Sequence, residues 1–530
     1  MNIKTVFKAI AAVALLALAF SCTKGFEALN QDQFGVHKEQ MSQDGLELGG
    51  MLQALQRSVF IHEDGTYLDS DYQRMYNLLA ETWCGYMSPT MRDGKFAGWD
   101  LDSDDEDKSV RAMFVNKYTY GLGSFTQYND YAVANELLNE RALGLVLKVA
   151  TMHMVTDYYG PIAYSQYGSM GGNLYDSQEK VYQQFFAELD EAIPVLETAA
   201  LVGDQLIPDY DLVYGGDAGK WARFANSLRL RLAMRIAYAD PALAQQEAEK
   251  SILSSSGVIT DNSGNAIETD VTRHPLYTIN ITFNDADTQI GASLDCYLNG
   301  FNDPRKFKYA KEAKDGQLHG VRYGFLPSSG KWEEYKNSEK AVSAPNATEY
   351  KLCWMNAAEV AFLRAEGALR GWNMGGSAKD FYETGIRLSF EEWGASGAEA
   401  YLADNTLTPA AFTDNVASNG SPAPSNVTIA WKESDNTEQK LEKIATQKWI
   451  ALFPNGVEAW AEYRRLHYPG LVPPVNNYSN GVVNTTEGIR RVQYPTAEET
   501  DNKAGYDSGV AALGGPDNAG TRLWWDQKPF

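Results

Sequence analysis

Residues 441–470 read LEKIATQKWIALFPNGVEAWAEYRRLHYPG, and the spacing of their apolar side chains decides the fold class. Leu441, Ile444, Ala445, Lys448, Trp449 and Leu452 recur at intervals of three and four. That spacing puts them on one face of a helix, with the Lys448 stem as its weakest apolar member. The pattern stops at Pro454-Asn455-Gly456. Proline lacks the N–H that a helix interior needs, and Asn and Gly tolerate turn geometry, so the chain reverses here. A second helix then carries Trp460, Tyr463 and Leu466 as far as Pro469-Gly470. The segment is a helical hairpin bearing two tryptophans.

The same period recurs upstream. Leu138, Ala142, Leu145, Val149 and Met152 predict a long helix over about 131–157. Val181, Phe185, Leu189, Ile193 and Leu196 predict another over 178–199, and Trp221, Phe224, Leu228, Leu232 and Ile236 a third over 219–239. In 355–371 the small residues Ala361, Ala365 and Ala368 permit close helix approach, and a partner over 377–393 carries Phe381, Ile386 and Phe390. Helix pairs joined by short turns imply tetratricopeptide-like packing, although the full repeat consensus is absent. Residues 58–128, 256–352, 395–436 and 470–530 lack the period and are rich in Gly, Asn, Asp, Pro and aromatics. Short strands and surface loops inserted into the helical scaffold are expected there, not separate domains.

At the N-terminus, Lys4 and Lys8 precede an uninterrupted apolar run from Ala9 to Phe20, followed by Ser21 and Cys22. Basic, apolar, then small is the order of an export signal. The run is too short for a bilayer-spanning helix, which needs roughly 20 residues. Cys22 directly after Ser21 resembles a lipoprotein processing site, where a diacylglyceryl group is attached to the new N-terminal Cys; the other reading is an ordinary secretory signal with a Cys nearby. Each buried methylene contributes about 0.8 kcal/mol, so several acyl chains hold a protein to a membrane without a spanning helix. The expected organisation is a signal peptide over 1–21, a lipidated tether over 22–42, and one domain over 43–530.

Formal net charge is -23, and loss of the two leader lysines makes it -25. An excess of that sign repels phosphate backbones, so Arg223, Arg229, Arg231 and Arg235 are read as a solvated or ion-paired helix face and not as a nucleic-acid site. Beyond Cys22, the widely spaced Cys84, Cys296 and Cys353 indicate neither a disulfide framework nor a zinc site.

The sequence holds no GxSxG elbow, no HExxH and no Walker phosphate loop, and its six histidines show no ligand spacing. A glycosidase would need two carboxylates fixed about 5 to 10 Å apart, and among 69 acidic residues nothing singles out a pair. The run Asp100, Asp102, Asp104, Asp105, Glu106, Asp107 begins like a calcium loop. Its sixth position is Asp105 where Gly is required and its twelfth is Arg111 where Glu is required, leaving a solvated acidic loop or at most weak structural calcium. No cofactor is expected.

Aromatic residues in polar loops stand out instead. Trp83, Tyr86, Phe96 and Trp99 share the window TWCGYMSPTMRDGKFAGWD, and Tyr323, Phe325, Trp332 and Tyr335 lie within VRYGFLPSSGKWEEY. Sugars offer C–H faces that stack on flat rings, while their hydroxyls need hydrogen-bond partners, so aromatics beside Asp, Asn and Arg suit a glycan site. The candidate ligand-binding residues are Trp83, Tyr86, Phe96, Trp99, Tyr323, Trp332 and Tyr335. The competing reading is that these rings pack the irregular face onto the helices. Trp221, Trp372, Trp449 and Trp460 fall on or beside helical stripes and are read as core, and Trp524 and Trp525 as structural.

Six segments carry a family resemblance in a consistent order: VTDYYGPIAYSQ at 155–166, KWARFANSLRLRLAMRI at 220–236, MNAAEVAFLRAEGALRG at 355–371, the hairpin above, and the closing RRVQYPTAEE and RLWWDQ. Together they resemble SusD/RagB-like outer-membrane nutrient-binding lipoproteins from about residue 30 to the end. The resemblance implies a mostly α-helical fold, with a tetratricopeptide-like superhelix supporting an irregular, loop-rich face with a few short strands. It also implies a non-enzymatic, lipid-anchored protein on the outer membrane, facing outward. Such a protein would bind a nutrient oligomer, most readily a glycan, and deliver it to a SusC-like TonB-dependent transporter. The alternatives are the same fold binding peptides, as RagB-like members are thought to do, or a repeat scaffold with no soluble ligand.

Overall fold

Several helix starts in this chain are written as Ser, Asp or Asn side chains that accept from the first free backbone N–H groups. In the computed structural model, which describes residues 2, 45–62, 70–89, 98–100, 104–168, 173–283, 288–325, 335 and 342–530, Ser177 caps α4 (Gln178–Val202), Asp217 caps α5 (Ala218–Arg235) and Asp240 caps α6 (Pro241–Leu253). Asn356 caps α7 (Ala357–Leu369) and Ser377 caps α8 (Ala378–Glu392). Asn436 and Gln439 form a reciprocal capping box on α9 (Thr437–Leu452), and Asn455 caps α10 (Gly456–Leu466). Each such cap is worth roughly 1 kcal/mol. Cys22, with the whole of the expected tether over 22–42, lies outside the described residues.

Residues Met51–Phe530 form one unit, mostly helical and tetratricopeptide-like. α3 (Leu138–Tyr159) and α4 run antiparallel, as the cross-links Asn139–Asp204, Lys148–Glu188 and Tyr182–Asp157 show by their descending register. α4 packs on α5, α5 on α6 and α7, α7 on α8, and α9 on α7, α8 and α10. The α7–α8 approach depends on Gly385, where a Cβ would stand 2.7 Å from the Phe362 ring. Among the described residues, four short strands make two antiparallel pairs: β1 (Met87–Pro89) with β3 (Thr288–Ile290), and β2 (Ala266–Ile267) with β4 (Cys353–Met355).

Two expectations are corrected. The helix foreseen over 131–157 is two helices, α2 (Gly123–Ala134) and α3, separated at Glu136, whose φ of 57° no right-handed helix accommodates. Residues 58–128, foreseen as strands and loops, carry a π-type helix at Gln73–Glu81, α1 (Asp104–Asn116) and the start of α2. Asp104–Asp107 of the calcium-like run thus fall within α1. Among the described residues, no group of three or more His, Cys, Asp or Glu is placed to hold a metal ion. No described helix is long and apolar enough to cross a membrane. Cys84, Cys296 and Cys353 are free thiols, the first two buried.

Three arginines of α5, Arg229, Arg231 and Arg235, are buried and ion-paired, not solvated, whereas Arg223 is only half-buried. Arg231 makes a bidentate pair with Glu359 of α7, at 2.7 Å for each bond. Arg235, fully buried, donates to Glu462 and Glu458 of α10 at 2.5 Å each and lies 3.3 Å from Asp157 of α3. Arg465 of α10 pairs with Glu366 of α7 at 2.6 and 2.7 Å and with Glu462, which also receives Lys448 of α9 at 2.9 Å. The scaffold is therefore cross-linked through its middle by charge as well as by apolar packing.

Removing one partner of such a network leaves an uncompensated buried ion. Arg465→Ala is expected to lower the unfolding free energy by about 3–5 kcal/mol, measured by urea denaturation. Lys503→Ala, which breaks an exposed pair with Asp507, should leave the midpoint unmoved.

Candidate functional site

Gly456 fixes where the site forms. A Cβ at this position would lie 2.5 Å from the Glu81 Cα, so α10 can start against the Gln73–Glu81 helix only with glycine there. That contact sets Trp83 on Trp460 with ring centroids 5.0 Å apart. Beyond Trp83 the chain turns at Gly85 (φ 82°) into β1. The turn is tied to α9 by the Trp449 indole, which donates to the Cys84 carbonyl at 2.9 Å, and by the Tyr86 hydroxyl, which donates to the Trp449 carbonyl.

The other end of α10 builds the opposite wall. His467 terminates the helix in the left-handed region (φ 60°), its N–H donating to the Tyr463 carbonyl at 2.7 Å. Its imidazole stacks on the Phe530 ring, with centroids 3.6 Å apart and planes 9° from parallel. Tyr323 holds the 470s loop by accepting from Val475 N–H at 2.8 Å, and Gly98 accepts from Tyr478 N–H at 2.7 Å. Trp99, at φ 74°, lies with its ring 6.4 Å from that of Tyr323.

Between these walls is a cleft of about 380 Å³, lined by Trp83, Trp99, Tyr323, Tyr463, His467, residues 470–473, Thr485, Thr486, Gly488, Ile489 and Phe530. The volume is within the range of small-molecule sites. Its polar contributors are His467, the Thr hydroxyls and the indole N–H of Trp83, which finds no acceptor in the protein. Burial, which Asp526 only partly offsets, holds the His467 pKa below its ordinary value, and the cations of Arg490 and Arg522 act in the same direction. The imidazole is therefore neutral at physiological pH.

Of the seven sequence candidates, the structure brings Trp83, Trp99 and Tyr323 together around this cleft. Tyr86 is a core residue: fully buried, bonded to Trp449 and packed against Phe453 at 5.2 Å. Tyr335 packs on Phe325 at 4.9 Å and donates to Asp414 at 2.6 Å, away from the cleft. Phe96 and Trp332 lie outside the described residues. Sequence reasoning missed Tyr463, His467, Thr485, Thr486 and Phe530. Tyr463 reads by its spacing as part of the hairpin's second helix, and His467 has no ligand spacing; its place between a helix end and Tyr468-Pro469-Gly470 is the signal that marks it.

Residues 28–526 match the family of SusD and RagB outer-membrane lipoproteins. The chain belongs to the SusD-like family. Solved structures agree. A chitin-binding SusD homologue from Flavobacterium johnsoniae is 38% identical, with a TM-score of 0.81 over 91% of this chain and 99% of its own. A SusD homologue from Bacteroides thetaiotaomicron is 36% identical (TM-score 0.79, 91% and 99% covered), and one from Bacteroides vulgatus is 31% identical (TM-score 0.84, 92% and 99%). No curated protein matches the chain. SusD-like proteins are binding proteins and not enzymes.

Asp526 supports the cleft from behind, 3.9 Å from His467 and paired with Arg490 at 2.5 Å and Arg522 at 2.8 Å. Burial alone would raise its pKa, but the ion pairs to Arg490 and Arg522, with the His467 ring beside them, outweigh burial and hold it at about 2. A carboxyl depressed on folding contributes stability above its unfolded pKa, and that contribution is lost as pH falls from about 4 to about 2. Asp526→Asn is therefore expected to cost about 2 kcal/mol at pH 7 and progressively less below pH 4, read from melting temperatures across that range.

Proposed function

We propose that this protein is an outer-membrane lipoprotein, tethered through lipid on Cys22 and facing the cell exterior, that binds a glycan oligomer and delivers it to a SusC-like TonB-dependent transporter. The observation that carries the reading is the convergence of Trp83, Trp99, Tyr323, Tyr463 and Phe530 on one cleft. Ring faces and edges suit the C–H surfaces of a pyranose, and the interspersed His and Thr groups suit its hydroxyls. The 38% identity to a homologue described as chitin-binding supports a saccharide in this role. The signal-like leader ending at Cys22 and the match to a lipoprotein family support the tether. Two carboxylates poised across the cleft would be needed for hydrolysis, whereas no Asp or Glu lines it among the described residues.

Titration calorimetry against a panel of oligosaccharides and peptides tests the ligand class; binding of peptides alone would overturn the glycan reading. Trp99→Ala is expected to weaken glycan binding by roughly 1–3 kcal/mol, by analogy with aromatic stacking on bases. Tyr86→Phe should leave affinity unchanged while lowering stability, because it removes only a buried bond to Trp449. Cys22→Ala is expected to move the protein from the membrane fraction to the soluble fraction. Native purification of the unmodified protein should bring down a large barrel protein, and its absence would count against the transporter partnership.

A further inference from the structure

The cleft holds three side chains with buried polar atoms that the fold leaves without partners, His467, Trp83 and Trp99. The His467 side chain is about 10% exposed, and neither ring nitrogen has a hydrogen-bond partner in the protein. The nearest carboxylate oxygen, on Asp526, is 3.9 Å from Nε2, beyond hydrogen-bond reach. The Trp83 indole N–H, on a residue 3% exposed, is likewise unmatched. Buried polar groups are nearly always satisfied, and a native exception calls for a ligand or ordered water to complete it. The imidazole is also held in a fixed plane, because Phe530 covers one face in parallel stacking. That arrangement spends the ring face on the protein and leaves the nitrogen-bearing edge for what enters the cleft. One nitrogen of a neutral imidazole donates and the other accepts, which matches a hydroxyl or an amide.

Charge points the same way. Among the described residues that line the cleft, none is Asp, Glu, Lys or Arg. Of the cations near the cleft, Arg490 and Arg522 pair with Asp526, Arg491 pairs with Asp517, and Arg322 is held by backbone carbonyls that include those of Pro473 and Pro474. A carboxylate, sulfate or ammonium brought into this site would lose water and find no opposite charge to replace it.

We propose that His467 is the polar anchor of the cleft, exchanging hydrogen bonds with a hydroxyl or amide of the ligand, and that the cleft selects uncharged sugar residues over acidic or basic ones. The inference rests on the glycan-binding reading above and deepens it to a substrate class. Trp83 supplies a second donor, and the rings of Trp99, Tyr323 and Tyr463 supply the apolar surround.

The test is calorimetry on the intact soluble chain with five defined trimers. Acetylated chitotriose, cellotriose and maltotriose are uncharged, trigalacturonate is anionic, and the fully deacetylated chitosan trimer is cationic. The two chitin-derived trimers share one backbone and differ in charge. At least one uncharged trimer is expected to bind, with both charged ones at least tenfold weaker. His467→Asn and His467→Gly, both of which tolerate the left-handed backbone at this position, are expected to weaken that binding at least tenfold while the protein stays folded, as circular dichroism checks. If one variant fails to fold, the other carries the measurement. Tighter binding of a charged trimer, or unchanged affinity in both His467 variants, overturns the inference while leaving glycan binding intact. If no trimer and no longer glycan binds, the glycan reading fails and this one fails with it.

Discussion

Arg235 is the constraint on which the rest of the scaffold depends. Its guanidinium is fully buried and faces Glu458 and Glu462 on α10 and Asp157 on α3, so one side chain on α5 fixes the relative positions of three helices. Arg231 extends the contact to α7 through Glu359, and Arg465 returns it from α10 to α7 through Glu366. A buried ion is costly unless its partners are placed well, and replacing such a network with apolar side chains is often neutral or stabilising. What the network supplies is register. An apolar stripe tolerates a helix sliding by a turn, whereas a bidentate Arg–Glu pair does not.

That register has a functional consequence. α10 is short, and both of its ends are in use. Its start is pressed against Glu81 at Gly456, which sets Trp83, and its end turns at His467, which forms the far wall of the cleft. Glu458, Glu462, Arg464 and Arg465, spread from the first turn to the last, lock the same helix into the core. Arg464 stacks on Trp460 at 3.4 Å and donates to the Asp157 carbonyl at 2.6 Å. The cleft is thus assembled at the two ends of a rod whose position is determined by ion pairs along its length. Sites on rigid elements hold their geometry better than sites on loops, and here irregular segments contribute Trp99, Tyr323 and Phe530 to a frame that α10 has already positioned.

The helical part of this design was legible because it is written in local terms. The three-four spacing, the Asn and Ser caps and the Pro454-Asn455-Gly456 reversal all act within a few residues, and α4, α5, α7, α8, α9 and α10 follow them closely. The break between α2 and α3 was not legible, since Glu136 carries neither Gly nor Pro to mark its positive φ. Among the aromatics, Trp83 and Tyr86 stand three residues apart in one polar window, yet only the first reaches the cleft. Tyr86 is claimed by Trp449, far along the chain, and no local pattern encodes that partnership. His467 and Phe530 were invisible for the same reason: their stacking joins a helix terminus to a distant segment. The burial of Arg229, Arg231 and Arg235 likewise required knowledge of which acids would face them, because charge on a helix reads as solvent-facing until its partners are known.

The distribution of charge links the scaffold to selectivity. With a net charge of -23, the molecule presents a negative field to anything approaching it. The most deeply buried cations do little to relieve that field at the surface, because Arg231, Arg235, Arg305 and Arg465 are consumed by Glu359, Glu458, Glu462, Asp303 and Glu366 in the interior. Salt screens the field over about 8 Å at physiological strength, so it acts during the last step of approach and not at long range. An acidic oligomer therefore meets repulsion at the rim and, inside, a lining with no cation to receive it. A neutral one meets neither obstacle. The same internal pairing that gives the scaffold its register thus withholds positive charge from the cleft.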